Sequence, residues 1–269
     1  MKSIDETLAV YAGILNEHPK FILNHAKNSL FEFQNEHDKS LVDLKSDFNV
    51  DVIAAGKSDF DKTLSLMMYI HKELFFPGSN ISPTVNNTYE IMKVRKTGAL
   101  FCSYHATVLT EMLLSIGVKA IKISCLPKDF DGDCHVAVLA YMKEKKKWVF
   151  FDPTFGTYFF DENGNPLSIL EIREQYINRK NILFKNIQID KQWRLIMNGV
   201  VCESYDEWYR IYMAKNSFRF MFPQKSEFNY SNTYAKYIFT NPLGYTTKNE
   251  YDTIATESDV AYSGHFCFT

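Results

Sequence analysis

Residues 98–120 read GALFCSYHATVLTEMLLSIGVKA, residues 133–141 DCHVAVLAY and residues 147–154 KWVFFDPT. In that order come a cysteine opening a helical pattern, a histidine opening a strand pattern and an aspartate closing a second strand. Cys102, Ala106, Leu109, Leu113 and Ile116 recur every three or four residues, the stripe of a helix facing a core. Gly117 supplies its stop. Cys102 therefore belongs to the first turn, where unpaired N–H groups and the positive end of the dipole favour a thiolate.

Val118 to Cys125 is apolar and β-branched enough for a strand, and Pro127 to Asp133 reads as the loop after it. In the next strand, Cys134 to Met142, the side chains of His135, Ala137, Leu139 and Tyr141 share a face. Lys143-Glu144-Lys145-Lys146-Lys147 is too charged to bury and makes a hairpin turn. Trp148, Phe150 and Asp152 share one face of the third strand. A tight hairpin then sets Asp152 opposite His135 or one step diagonal, within side-chain reach. Pro153 ends the strand and holds Asp152 extended. The expected arrangement puts His135 on the sheet face that carries the Cys102 helix, and the opposite face would count against catalysis and favour a silent module.

These residues resemble the transglutaminase-like superfamily, whose core is a papain-like fold with a Cys–His–Asp triad. The matching positions are Cys102 with Ala106, Leu109 and Gly117 along its helix, then Asp133-x-His135-Val136, then Trp148-x-x-x-Asp152-Pro153-Thr154. They span roughly residues 59 to 177. The resemblance implies catalytic roles for Cys102, His135 and Asp152. It also draws attention to Asn80, because papain-like enzymes often take a second oxyanion donor from a side chain upstream of the nucleophile. One position departs from the pattern. Ser103 follows the cysteine where many relatives carry a polar or charged residue, often Arg, and the bulky Tyr104 and His105 come next.

A length of 269 residues with 46% hydrophobic content allows one large domain or a core with appendages. A net charge of −2 and a pI near 6.4 give no electrostatic case for nucleic acid or an anionic membrane. Aromatic residues at 15% suit a large core or the walls of a cleft. Acidic and amide residues interrupt the apolar residues of the first twenty, so no signal peptide is read and a cytoplasmic location is expected. No apolar run approaches membrane-spanning length. Five cysteines without C-x-x-C argue against a disulfide framework and a zinc site.

Helical periodicity over residues 4–35 predicts two helices split near Pro19, and Asn35 to Lys45 reads as a loop or solvated helix. Ser58 caps a helix to about Phe75, with Leu64, Met67, Met68, His71 and Phe75 inward; His71 reads as a core residue rather than a ligand. Pro77 to Asn80 is a turn, Ile81 to Asn87 a loop and Thr88 to Arg95 a short helix. Tyr158 to Phe160 is apolar, Asp161 to Gly164 a turn, and Ser168 with Glu171 a capping box opening a helix to about Ile177. Ser204 and Glu207 repeat that signal before another helix. Ser217 to Phe222 and Tyr234 to Thr240 are strand-like. This tail could extend the sheet or wall the cleft.

The expected architecture is therefore α+β, with the cysteine-bearing helix packed on an antiparallel sheet and helices N-terminal to it. The expected division is a helical region at 1–57, a transglutaminase-like core at 58–185 and an aromatic-rich extension at 186–269 packed on the core. The expected chemistry is thiol-dependent acyl transfer or hydrolysis at an amide, through a thioester on Cys102, with a peptide, protein or small amide as substrate. No metal or organic cofactor is required, and neither nucleic acid nor membrane is an expected partner. The alternative is a catalytically silent binding module that kept the fold.

Overall fold

The computed structural model of the chain describes residues 3–20, 32–74, 85–96, 100–129, 134–186, 195–197, 200–223, 225–230, 237–240, 242–243 and 245, with backbone alone at 195–197 and 237–240. Helix α1 (Ile4–Asn16) comes first, then the short strand β1 (Glu32–Phe33) and helices α2 (Lys39–Asp47), α3 (Val50–Ile53), α4 (Asp59–Glu73), α5 (Thr88–Val94) and α6 (Cys102–Ser115). Strands β2 (Ala120–Leu126), β3 (His135–Met142), β4 (Lys147–Asp152) and β5 (Thr157–Phe160) follow, then α7 (Ile169–Ile177) and β6 (Leu183–Asn186). The remainder holds β7 (Leu195–Met197), β8 (Val200–Cys202), α8 (Tyr205–Lys215), β9 (Arg219–Pro223), β10 (Lys225–Ser226) and β11 (Tyr237–Thr240).

Seven strands form one sheet in the order β11-β9-β2-β3-β4-β5-β6, every neighbouring pair antiparallel. The fold is α+β, and α6 packs on β2 and β3. Two apolar cores lie on the two faces of the sheet. On one face, Val138, Ala140, Val149 and Phe151 meet Ala106, Leu109 and Leu113 of α6 and the buried side of α4. On the other, Ala137, Leu139, Phe150 and Phe220 meet Leu15 of α1, Ile172 of α7 and Tyr209 of α8. Burial on both faces explains why the strands read as almost unbroken apolar runs.

Local chemistry sets the element ends. Gly117, at φ +74°, takes the left-handed conformation after α6. Val118 N–H then donates to Leu113 O at 3.0 Å and Gly117 N–H to Leu114 O at 3.0 Å, the paired bonds of a Schellman cap. Ser58 and Ser168 each accept from the N–H three residues on, with Asp61 and Glu171 closing both capping boxes. The lysine-rich turn is a hairpin in which Met142 faces Lys147 and Lys146 supplies a positive φ of 50°.

Several expectations change. Burial of α6 extends beyond the single expected stripe: His105 through Ser115 are all buried, because α2, α4 and α5 pack around the sides that the sheet does not cover. The inner side of α4 is Thr63, Leu66, Met67 and Ile70, one residue out of phase with the expected stripe, and Met68 is 52% exposed. Glu32 and Phe33, expected in a second N-terminal helix, pair as a strand with Lys225 and Ser226. Residues 21–31 of that helix, Phe75, the Pro77–Asn80 turn with Asn80, Gly98, Asp133 and Tyr234 lie outside the described residues. Among the described residues, no helix is long and apolar enough to cross a membrane.

Candidate active site

Cys102 is the first residue of α6, and His135 is the first residue of β3. His135 stands opposite Cys125 in the β2 ladder and alternates with Ala137 and Leu139, so it projects from the face turned to α1, α7 and α8. That corrects the expectation of a shared face with α6. The two side chains approach each other around the end of the sheet, near enough for the Cys102 sulfur to act on the His135 ring. Val136 N–H lies beyond the β3–β4 ladder, which starts at Val138 with Phe151. Released from that pairing, it donates to Cys102 Sγ at 3.4 Å.

Asp152 ends β4 on the same face as His135. The β3–β4 register extrapolates to Ala137 opposite Asp152, so His135 is its diagonal neighbour. His135 Nε2 lies 2.6 Å from Asp152 Oδ2, and the two residues are 1% and 0% exposed. With Nε2 given to the carboxylate, Nδ1 is the ring nitrogen left for sulfur. Asp152 Oδ1 accepts the N–H groups of Thr154 at 3.1 Å and Phe155 at 3.2 Å, the bonds of a turn that an aspartate organises for itself. Tyr209 O–H donates to Oδ2 at 2.7 Å. Four donors around one buried carboxylate offset the cost of taking it out of water.

Burial by itself would push the His135 imidazole down, but the charge of Asp152, its hydrogen bond and the contact with Cys102 outweigh it and raise the pKa to about 10. The imidazolium is the form this pocket favours. Its ring is fixed by Phe155 at a centroid distance of 5.4 Å and by Tyr212 edge-on at 5.3 Å. Trp208 stacks on Tyr212 at 4.9 Å, so α8 lays aromatic side chains over the histidine and the aspartate.

The first turn of α6 is tied down from the helical side. His105 is fully buried, with Nε2 2.8 Å from Leu74 O and Nδ1 3.2 Å from Phe101 O. Burial holds its pKa below the ordinary value, against those two bonds. His71, read as a core residue, is half-buried and places Nδ1 3.1 Å from Thr154 O, in the turn after Asp152. Phe101, which precedes the cysteine, is 46% exposed and stacks on Tyr104.

The structure thus brings Cys102, His135 and Asp152 into one chain of contacts. Two participants were not read from the sequence. Val136 acts through its backbone, which no side-chain pattern reveals. Tyr209 belongs to the aromatic series Tyr205, Trp208, Tyr209 and Tyr212, whose spacing was a legible signal of one aromatic helix face.

No protein-family model and no curated protein matches the chain. Among solved structures, a candidate cysteine protease from Cytophaga hutchinsonii is similar at 14% identity with a TM-score of 0.34. The likeness covers 56% of this chain and 53% of that one, about half the length of each.

Proposed function

We propose that the chain is a thiol-dependent enzyme acting at an amide or other acyl carbonyl, with Cys102 as nucleophile, His135 as base and acid, and Asp152 as the orienter of His135. The observation that carries this reading is the approach of the half-buried Cys102 sulfur to His135, whose buried ring is bonded to the buried Asp152. His135 holds the thiol proton, and the sulfur attacks the carbonyl carbon. The Cys102 backbone N–H, in a first helical turn without an intrahelical acceptor, is one donor to the oxyanion. The C–N bond breaks as the imidazolium protonates the leaving amine, which leaves a thioester on Cys102. Water then breaks the C–S bond and releases an acid, making the chain a hydrolase; an amine in its place would make it a transferase. The papain-like, transglutaminase-like character of residues 58–185 is part of this reading, and so are peptide, protein or small-amide substrates.

The test is alkylation by iodoacetamide near pH 6 followed by peptide mapping. Cys102 should react faster than the other four cysteines, and His135→Ala should slow it sharply. Reaction no faster than a simple thiol, unchanged by His135→Ala, would make the chain a binding module that kept the fold.

A further inference from the structure

We infer that Tyr209 is a positioning residue of this site: its hydroxyl shares Asp152 Oδ2 with His135 and sets how much of the carboxylate charge the imidazole feels. The inference rests on the reading of Cys102, His135 and Asp152 given above. It brings the segment after residue 186 into the site, although the motifs that suggested that site all lie before residue 155.

The geometry is specific. One oxygen, Asp152 Oδ2, accepts from His135 Nε2 at 2.6 Å and from Tyr209 O–H at 2.7 Å, while Oδ1 is occupied by the two backbone donors. Tyr209 is 0% exposed. Its ring is held between Tyr205, stacked at 5.3 Å and 17°, and Phe159, stacked at 5.7 Å and 23°. It cannot swing away without breaking a packed aromatic layer. Burial, then the nearby Asp152 charge, raises its pKa well above the ordinary value, so it stays a neutral donor. A phenol in that position withdraws charge from the oxygen facing the imidazole. Removing the donor therefore concentrates charge on the His135 bond, and a more acidic phenol reduces it further.

The other titratable groups coupled to the pair come from several sides: Cys102 from α6, Cys125 from β2, which Cys134 affects in turn, His105 behind α6 and Tyr205 from α8. Tyr212 adds an edge-on ring and donates its hydroxyl to Cys134 O at 3.4 Å. Changes confined to the Tyr209 hydroxyl leave all of these in place.

The experiment is an NMR titration of the His135 imidazole, labelled with nitrogen-15, in three full-length proteins: the wild type, Tyr209→Phe, and the protein with 3-fluorotyrosine placed at Tyr209. Both variants keep the ring and its packing. The His135 midpoint should rise in Tyr209→Phe and fall with 3-fluorotyrosine, each by about half a pH unit or more. Midpoints that stay together, or move the same way in both variants, would reduce Tyr209 to packing and overturn the inference. The titration reads the His135–Asp152 pair without requiring a reactive thiol. A wild-type Cys102 that labels slowly would therefore defeat the proposed enzyme separately from this coupling.

Discussion

Cys102, on a helix covering one face of the sheet, and His135, projecting from the other face, approach each other because each is the first residue of its own element. A contact around a strand end is constrained by four neighbours at once. Val136 N–H reaches the sulfur, Asp152 holds the far side of the ring, and Phe155 and Tyr212 fix its plane.

For reactivity, the expected hierarchy among variants follows from which charge is removed. His135→Ala should slow iodoacetamide labelling of Cys102 at pH 6 by about 10²-fold or more, because the positive partner is gone. Asp152→Asn should slow labelling less, yet cut turnover of an activated ester such as p-nitrophenyl acetate by up to about 10⁴-fold through misorientation of the ring. Cys102→Ser should fold and should not label. If the aspartate and histidine variants turn over the ester as well as the wild type, the assigned roles are wrong.

Glu111 makes a prediction about pH. It is 2% exposed on α6, and its carboxylate accepts Thr88 N–H at 2.8 Å and Asn229 N–H at 2.9 Å. Burial lifts its pKa from 4.5 to about 7, against those bonds and the charge of Lys122. The folded state therefore holds a proton that the unfolded state releases, and stability should fall as pH rises from 4.5 to 7, by up to about 3 kcal/mol. Urea unfolding at several pH values should show that slope in the wild type and lose it in Glu111→Gln. An unchanged slope in the variant would assign it to other groups.

The sheet runs through the C-terminal segment, and Phe220 tests how firmly. It stands opposite Cys125 in the β2–β9 ladder and is 0% exposed. Phe220→Ala should cost about 3–5 kcal/mol of unfolding free energy, whereas Val52→Ala, at a position 77% exposed, should cost about 0.5 kcal/mol or less. Denaturant melts that give similar midpoints for the two variants would show that β9 adds little to the core.

Arg173 fixes the end of α1. Its buried guanidinium donates to Leu15 O at 3.1 Å, His18 O at 2.8 Å, Pro19 O at 3.1 Å and Ser217 O at 3.0 Å. Burial lowers its pKa to about 10. Arg173→Lys keeps a cation but replaces a planar fork with a point donor, and should cost about 2 kcal/mol or more in thermal or urea unfolding. A lysine variant as stable as the wild type would mean the fork is dispensable.

Much of this arrangement was legible in the chain. The stretch from Gly98 to Asp152 holds a helical period, a glycine stop, two apolar strands and a lysine-rich turn, and each is a local steric or solvation effect acting within a few residues. Local rules also placed the caps at Ser58, Ser168 and Ser204 and set Asp152 opposite His135 or one step diagonal, and the strand register decided for the diagonal. The phase of α4 was misjudged because Met67 and Met68 are equally apolar, and only the position of α6 decides which one is covered.

By itself, then, the sequence determined the elements around Cys102, His135 and Asp152 and the order in which those side chains occur, since propensity, periodicity and capping are short-range. Only the tertiary structure decided that the thiol meets the imidazole around a strand end, that Val136 turns a spare N–H to the sulfur, and that Tyr209 closes on Asp152 from 57 residues away. Those contacts depend on where α6 and α8 come to rest against the two faces of the sheet. That docking is set by the burial of apolar surface over the whole domain, a sum over many distant residues that no local pattern contains.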